Sequence, residues 1–269
     1  MSTGVTETVG AATEKPVRLS SIVRSELIKF TTVRSTWVIY LLALVAQVGI
    51  GVAVTATAKD DELAKMSALD RTDLTVSGMV ITTLFIAALG VSVYANDHAT
   101  GMIRWSYIAV PRRLPVLFGK VVMFTAVNTL VMVVGVLLTV YIGQMVLPEG
   151  AGVAALGEGA TVRLLAATVG EATAIGLMGI AFGAILRNTA AAVTSTIGVI
   201  VVLPILLGLF GQKVTDVIAR YGWNHVTAAV KEVQLGDNHL PGAGALVVLL
   251  LYVAVPLAVA AVLLVRRDV

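Results

Sequence analysis

The chain has 269 residues, of which 58% are hydrophobic and only 13% are charged. A soluble domain carries about 25% charged residues, so too few charges are present to cover a water-facing surface of this size. Cysteine is absent, which excludes disulfides, thiolate metal sites and cysteine nucleophiles. The net charge of +3 comes from basic residues at the ends of apolar segments, a pattern typical of membrane orientation and not of nucleic-acid binding.

Six apolar stretches are long enough to cross the hydrocarbon core of a bilayer, which requires roughly 20 residues of helix. They predict an all-α membrane protein whose single transmembrane domain covers residues 17–269 and follows a flexible tail over residues 1–16. Pro204 and Pro256 lie inside two of the stretches and predict kinked helices. The predicted spans are residues 37–58, 74–95, 121–147, 162–186, 189–210 and 243–265.

The segments between the spans alternate between two sides that differ in charge. One side, which includes both termini, carries 12 Lys and Arg and 5 Asp and Glu, whereas the other side carries 7 and 10. Basic residues accumulate on the cytoplasmic side of membrane proteins. Both termini are therefore predicted to be cytoplasmic.

Residues 17–34 have the apolar spacing of an amphipathic helix on the membrane surface. Glu26 falls within the apolar face, which is unexpected for simple lipid contact, and Lys29 follows at a spacing that allows the two to pair. Two interpretations are open. The pair is a solvated ion pair on a surface helix, or it faces another protein.

The segment over residues 96–120 is far longer than a turn requires. Its central part is apolar almost all round, with Arg104 alone among the charges, and it ends at a proline followed by two arginines. A helix of this kind is seldom exposed to water. It is either an interfacial helix with Trp105 among the lipid headgroups or a coupling helix that a cytoplasmic partner contacts.

Several short motifs, in their order along the chain, together resemble type-2 ATP-binding-cassette (ABC) transporter permeases. The similarity covers nearly the whole chain, from residue 17 to residue 269. Asp97 is one departure, because the family usually has Glu at this position. The motifs are RSELIK from Arg24, VRSTW from Val33, DHATGMIR from Asp97, AVPRR from Ala109, LRNTA from Leu186 and RRD from Arg266.

This resemblance implies the permease subunit of an ABC exporter in a bacterial cytoplasmic membrane. Such a subunit dimerises with a second copy or a paralogous permease and binds two copies of a separate ATPase. It moves a hydrophobic or amphipathic substrate, such as a drug, peptide, lipid or lipid-linked glycan, outward. The loop helix, here over residues 97–113, would lie in a groove of the ATPase. The residues implied at this interface are Glu26, Lys29, Asp97, Gly101, Arg104, Trp105, Pro111, Arg112 and Arg113.

The chain lacks the G-x-x-x-x-G-K-[ST] loop that holds ATP phosphates. Lys120 follows a glycine, but Val121 comes next and Leu114 stands where the first glycine of the motif belongs. ATP and Mg²⁺ would therefore bind to the partner ATPase, and the chain itself is predicted to hold no cofactor and to catalyse no reaction. The three histidines lie in separate loops, without the spacing of a metal-binding pair.

Glu171 is the one carboxylate inside a predicted span, where a charge costs about 2.5–3.5 kcal/mol on insertion scales. Arg163 lies roughly 12 Å earlier along the helix, too far to pair directly. Glu171 therefore joins packed spans, lines a substrate path or relays protons. Asn128 and Gln47 either face such a path or join helices. A proton-coupled secondary transporter that uses Glu171 is the alternative function, and a membrane immunity or anchor protein is a third.

Residues 211–242 form a segment too long for a simple link. The apolar residues from Val214 to Tyr221 have helical spacing and predict an amphipathic helix on the outer leaflet. Trp223 is predicted to lie among the lipid headgroups.

Overall fold

The computed structural model describes residues 19–102, 113–147, 152–233 and 239–266. Within these ranges every regular element is a helix, and six helical segments are long and apolar enough to cross a membrane. The prediction of an all-α fold with six helices long and apolar enough to span a membrane is confirmed for these ranges. The predicted tail over residues 1–16 lies outside the described residues, and so does most of the predicted coupling helix.

The first half of the chain contains three of the spans. A helix, α1, leads into the first span after a single extended residue, Val33, and covers the described part of the helix predicted over residues 17–34. Its predicted place on the membrane surface stays a prediction. The helices are α1 (Leu19–Thr32), α2 (Arg34–Thr57, span one), α3 (Asp60–Lys65), α4 (Ala68–Thr75), α5 (Met79–Ala99, span two) and α6 (Arg113–Val146, span three).

The second half contains the other three spans and two helices between spans five and six. Span five is composite, because a π-helical turn separates two α-helical pieces, and Pro204 follows this turn directly. Pro256 lies inside a continuous helix. The elements are α7 (Gly159–Leu186, span four), α8 (Thr189–Ile197), the π turn (Gly198–Val202), α9 (Leu203–Gly208), α10 (Gln212–Tyr221), α11 (Trp223–Lys231) and α12 (Gly242–Arg266, span six).

Span two was predicted over residues 74–95, and this prediction is wrong at its start. The helix α4 continues to Thr75, residues 76–78 form a turn, and α5 begins at Met79. Val76 is buried, and Ser77 and Gly78 after it are small residues that also occur inside membrane helices, so composition does not reveal the turn. At this turn the backbone of Gly78 packs against the backbone of Gln47 in α2.

Span four is the centre of the bundle. Of the most apolar 18-residue stretch of α7, 72% is buried inside the protein. The corresponding share is 28% for α2, 17% for span five and 11% for α12. The helices α5 and α7 run parallel and meet backbone to backbone at Gly90 and Gly176. Glycine allows this approach, because membrane helices that carry small residues at their interface can pack most closely.

Two ends of the bundle carry its polar layers. The end that we call the Lys120 end carries α1, the last turn of α5 and the first turns of α6. The end that we call the Lys231 end carries α3, α4, α10 and α11. There Arg71 of α4 donates hydrogen bonds to the carbonyls of Leu63, Met66 and Gly152, at 3.0, 3.1 and 3.0 Å, and so holds α3 and a later loop against α4.

Replacing Gly90 by alanine should destabilise the protein, because its Cβ would lie 2.7 Å from the carbonyl carbon of Gly176. Such overpacking costs about 1–3 kcal/mol of unfolding free energy. The measurement is chemical unfolding of the purified protein in detergent. The matched control is Gly49→Ala in α2, where an added Cβ meets no atom within 4 Å. Equal stability of the two variants would contradict the close packing of α5 on α7.

Candidate functional site

Lys120 is a buried lysine, 1% exposed, near the start of α6. Its Nζ contacts Glu26 Oε2 of α1 at 2.6 Å and Asp97 Oδ2 of α5 at 2.6 Å, and it donates to the carbonyl of Val93 at 3.0 Å. These three acceptors match the three donors of an ammonium group. Lys120 therefore joins the N-terminal helix to the ends of spans two and three.

Glu26 receives two cations. Its Oε2 faces Lys120, and its Oε1 accepts a hydrogen bond from Lys29 Nζ at 2.7 Å. Burial by itself would raise the pKa of Glu26, but the charge and hydrogen bond of Lys120, followed by those of Lys29, outweigh it and leave this pKa below its ordinary value. The carboxylate is therefore held ionised inside the protein.

The predicted pair between Glu26 and Lys29 is confirmed, but both interpretations of it were incomplete. Each assumed that the pair faces outward, whereas Glu26 is 3% exposed and faces Lys120. The physical reason is that a carboxylate on the apolar face of α1 is stable only if a buried cation compensates it. We call Glu26, Lys29, Asp97 and Lys120 the Lys120 cluster, and it lines a small cavity of about 150 Å³.

The other residues implied at the ATPase interface lie close by in sequence. Gly101 follows the end of α5 with a φ of +71°, the left-handed conformation in which glycine terminates helices. Arg113 opens α6, with only its backbone described. Arg104, Trp105, Pro111 and Arg112 lie outside the described residues. The structure thus brings Glu26, Lys29 and Asp97 together, and the partner contacts themselves stay a prediction.

A second charged cluster lies at the Lys231 end, where Glu171 of α7 meets Lys231 of α11 at 2.9 Å. Burial by itself would lower the pKa of Lys231, but Glu171 and Asp73 outweigh this effect and raise it. Burial is also the main reason why the pKa of Asp73 is raised. We call these three residues the Lys231 cluster, and they line a cavity of about 230 Å³.

The sequence correctly excluded Arg163 as the partner of Glu171, since Arg163 instead pairs with Glu232 at 2.6 Å. It missed Lys231, because nothing local indicated that α11 packs into the bundle. Trp223 was predicted among the headgroups, and this is wrong. Its side chain is 2% exposed and packs edge-to-face on Tyr252, with 5.5 Å between the ring centroids.

The predicted intramembrane amides Asn128 and Gln47 are buried and line none of the three cavities described here. Asn128 accepts a hydrogen bond from Tyr40 at 3.3 Å and donates one to Thr173 at 3.2 Å, so it joins spans one, three and four. Gln47 is also fully buried, and within the described ranges its side-chain amide forms no hydrogen bond. Asn128 is therefore a helix-joining residue, the second of its two predicted roles.

The largest cavity described in the bundle is apolar and lies between α6, α7 and α12. Its volume is about 640 Å³, and Thr129 and Thr173 are the only hydroxyl side chains in its lining. The sequence could not indicate it, because leucines and valines that line a cavity do not differ from those that face lipid. The other lining residues of α6 and α12 are Val133, Val136, Leu137, Leu246, Leu249, Leu250 and Val253.

A comparison of the chain with models of known protein families finds no match, and neither does a comparison with curated proteins. The resemblance to type-2 ABC permeases therefore depends on the motifs of the sequence alone.

Replacing Lys120 by methionine should lower the free energy of unfolding by about 3–5 kcal/mol, because it leaves Asp97 without its cation and buried Glu26 with Lys29 alone. Unfolding in detergent measures the loss. The triple variant Glu26→Gln, Asp97→Asn and Lys120→Met should recover most of it. Lys29→Met is the control, and it should cost less than Lys120→Met, because Lys29 is 31% exposed and Glu26 keeps its contact with Lys120. A triple variant as unstable as Lys120→Met would contradict the charge argument.

Glu26 should also make stability depend on pH. Because its pKa is lowered in the folded protein, its contribution is present above the ordinary value of 4.5 and is lost as the pH falls through the folded value. The difference in unfolding free energy between the wild type and Glu26→Gln should therefore be large at neutral pH and shrink below that value. For the exposed residue Glu62, the corresponding difference should stay small throughout. A Glu26→Gln difference that does not vary with pH would contradict the assignment.

Proposed function

We propose that this chain is the membrane-spanning permease subunit of an ATP-driven ABC exporter in a bacterial cytoplasmic membrane, with both termini in the cytoplasm. It dimerises with a second copy or a paralogous permease, and two copies of a separate ATPase bind to it. The observation that carries the proposal is the Lys120 cluster, which ties the surface helix α1 to both helices that flank residues 103–112.

This arrangement suits the transmission of force. Asp97 lies in the last turn of α5, just before the segment, and Lys120 lies in the first turns of α6, just after it. The ion pairs between these two residues and Glu26 hold three helices together. A partner that pushes on the segment would therefore move α1, α5 and α6 as one unit, and α5 would move α7 through their close glycine contact.

The resemblance to ABC permeases implies ATP as the energy source and a hydrophobic or amphipathic substrate, and two observations support this part of the proposal. ATP and Mg²⁺ belong to the partner, because the chain has no phosphate-binding loop of the Walker type. The apolar cavity of about 640 Å³ falls within the range of ligand pockets, roughly 300–1,000 Å³. Its lining suits the hydrophobic part of a drug, peptide, lipid or lipid-linked glycan.

A proton-coupled carrier is the second candidate, and the Lys231 cluster is the observation that favours it. Buried carboxylates beside a lysine occur in proton relays. However, Lys231 compensates the charge of Glu171, which fits a structural pair between α7 and α11 equally well. A carrier predicts pH-dependent transport without any ATPase, lost in Glu171→Gln. A membrane immunity or anchor protein predicts no transport at all.

A pull-down from detergent-solubilised native membranes separates these functions. The wild type should recover a stoichiometric ATPase, and scrambling residues 103–112 should abolish the recovery because the contact segment is lost. The control is a scramble of residues 59–65, at the Lys231 end, which should leave recovery intact. Recovery of the chain alone, from membranes with proton-linked transport, would instead establish the carrier.

Coupling is tested with Arg104→Ala in proteoliposomes that contain the ATPase. Removing this one cation from the apolar segment should leave the complex assembled and ATP hydrolysis active, while substrate export falls by at least about tenfold, the loss of one charge-assisted contact. Normal export by this variant would contradict the coupling role of the segment.

A further inference from the structure

Arg187 is a cation without a carboxylate partner among the residues that the structure describes. It forms the short turn between α7 and α8, with a φ of +54°, and its backbone N–H donates to the carbonyl of Gly183 at 3.0 Å. Its Nε is buried and donates to no acceptor within the described ranges. By contrast, Arg163, near the other end of the same helix, pairs with Glu232.

The short turn determines the depth at which Arg187 lies relative to the membrane. Leu186, an exposed leucine, is the last residue of span four, and span five begins at Thr189. A turn this short between two apolar spans leaves the guanidinium at the level where hydrocarbon meets water. Phosphate groups of lipids occupy that level, whereas the carboxylates of a soluble partner lie beyond it.

The imidazole of His98 is a second nitrogen-bearing side chain beside Arg187. The helices α5 and α7 run parallel, and a Cβ on Gly183 would lie 3.4 Å from Tyr94 Cβ. One turn further along both helices, Arg187 comes beside His98. The His98 ring packs on Tyr94 with 5.3 Å between centroids, and its Nε2 is buried with no hydrogen-bond partner among the described residues.

The neighbouring carboxylates do not compensate Arg187. Glu26 and Asp97 both contact Lys120, and Asp97 forms no ion pair with Arg187 in the described ranges. A half-buried guanidinium without a counter-ion is costly. A phosphate supplies the missing charge and accepts hydrogen bonds from a guanidinium in bidentate geometry, with an imidazole N–H as a further donor.

We propose that Arg187 and His98 bind the phosphate of an anionic phospholipid at the Lys120 end of the bundle. The site is formed by the α7–α8 turn and the last turn of α5, and it does not depend on the proposed export function. A lipid bound here would hold spans two, four and five together at their ends.

The experiment adds phosphatidylglycerol or phosphatidylcholine to the delipidated protein in detergent and follows the thermal midpoint and the lipids retained in native mass spectrometry. The wild type should retain phosphatidylglycerol and gain stability from it, and phosphatidylcholine should do neither. Arg187→Gln should weaken phosphatidylglycerol binding by at least about tenfold, the worth of one charge-assisted hydrogen bond. The control Arg163→Gln should bind like the wild type.

Three outcomes would overturn the proposal. If Arg187→Gln still prefers phosphatidylglycerol, the lipid site does not lie at this turn. Equal protection of the wild type by inorganic phosphate at the same concentration assigns the site to the free anion. Protection by a purified cytoplasmic ATPase, with no lipid preference, assigns Arg187 to a protein interface. If Arg187→Gln does not fold, two other variants provide the same comparison. Arg187→Lys keeps the charge, and His98→Gln is expected to weaken binding.

Discussion

The compensation of the Lys120 charge is the constraint on which the arrangement of this protein depends. A lysine that is 1% exposed is stable only where counter-charges surround it, and here α1 and α5 each supply one carboxylate. The N-terminal helix also packs on the bundle through Ile22 and Phe30, but these apolar contacts do not by themselves require one orientation. Because Glu26 must reach Lys120, α1 is fixed at one angle against the bundle, beside the segment that joins spans two and three.

The bundle uses different interactions at different depths. Each end has a lysine whose ion pairs join separate helices, the buried Lys120 at one end and the half-buried Lys231 at the other. Between the ends, where charges are most costly, α5 and α7 pack through glycines, and Asn128 links three spans by hydrogen bonds. The polar layers thus lie at the two ends of the bundle, and the apolar cavity lies between α6, α7 and α12.

Composition was sufficient for the number of spans and for the surface helix, because both follow from hydropathy and helical spacing. Glu26 was visible as an unexpected charge on an apolar face, yet its partner is 94 residues away in sequence, and no local pattern indicates such a pairing. The same holds for Glu171 and Lys231. The break at residues 76–78 was missed because serine and glycine also occur inside membrane helices. The apolar cavity was missed because its lining residues are as hydrophobic as those of a lipid-facing span.

Crosslinking from single cysteines tests most directly whether a separate ATPase binds at the Lys120 end, since the chain has no cysteine of its own. A photo-crosslinker at Met102→Cys, exposed beside the end of α5, should capture one nucleotide-binding subunit in native membranes. The same probe at Met145→Cys, exposed near the far end of α6, should not. Equal yields from both positions, or no capture at residue 102 by an otherwise active protein, would contradict the account.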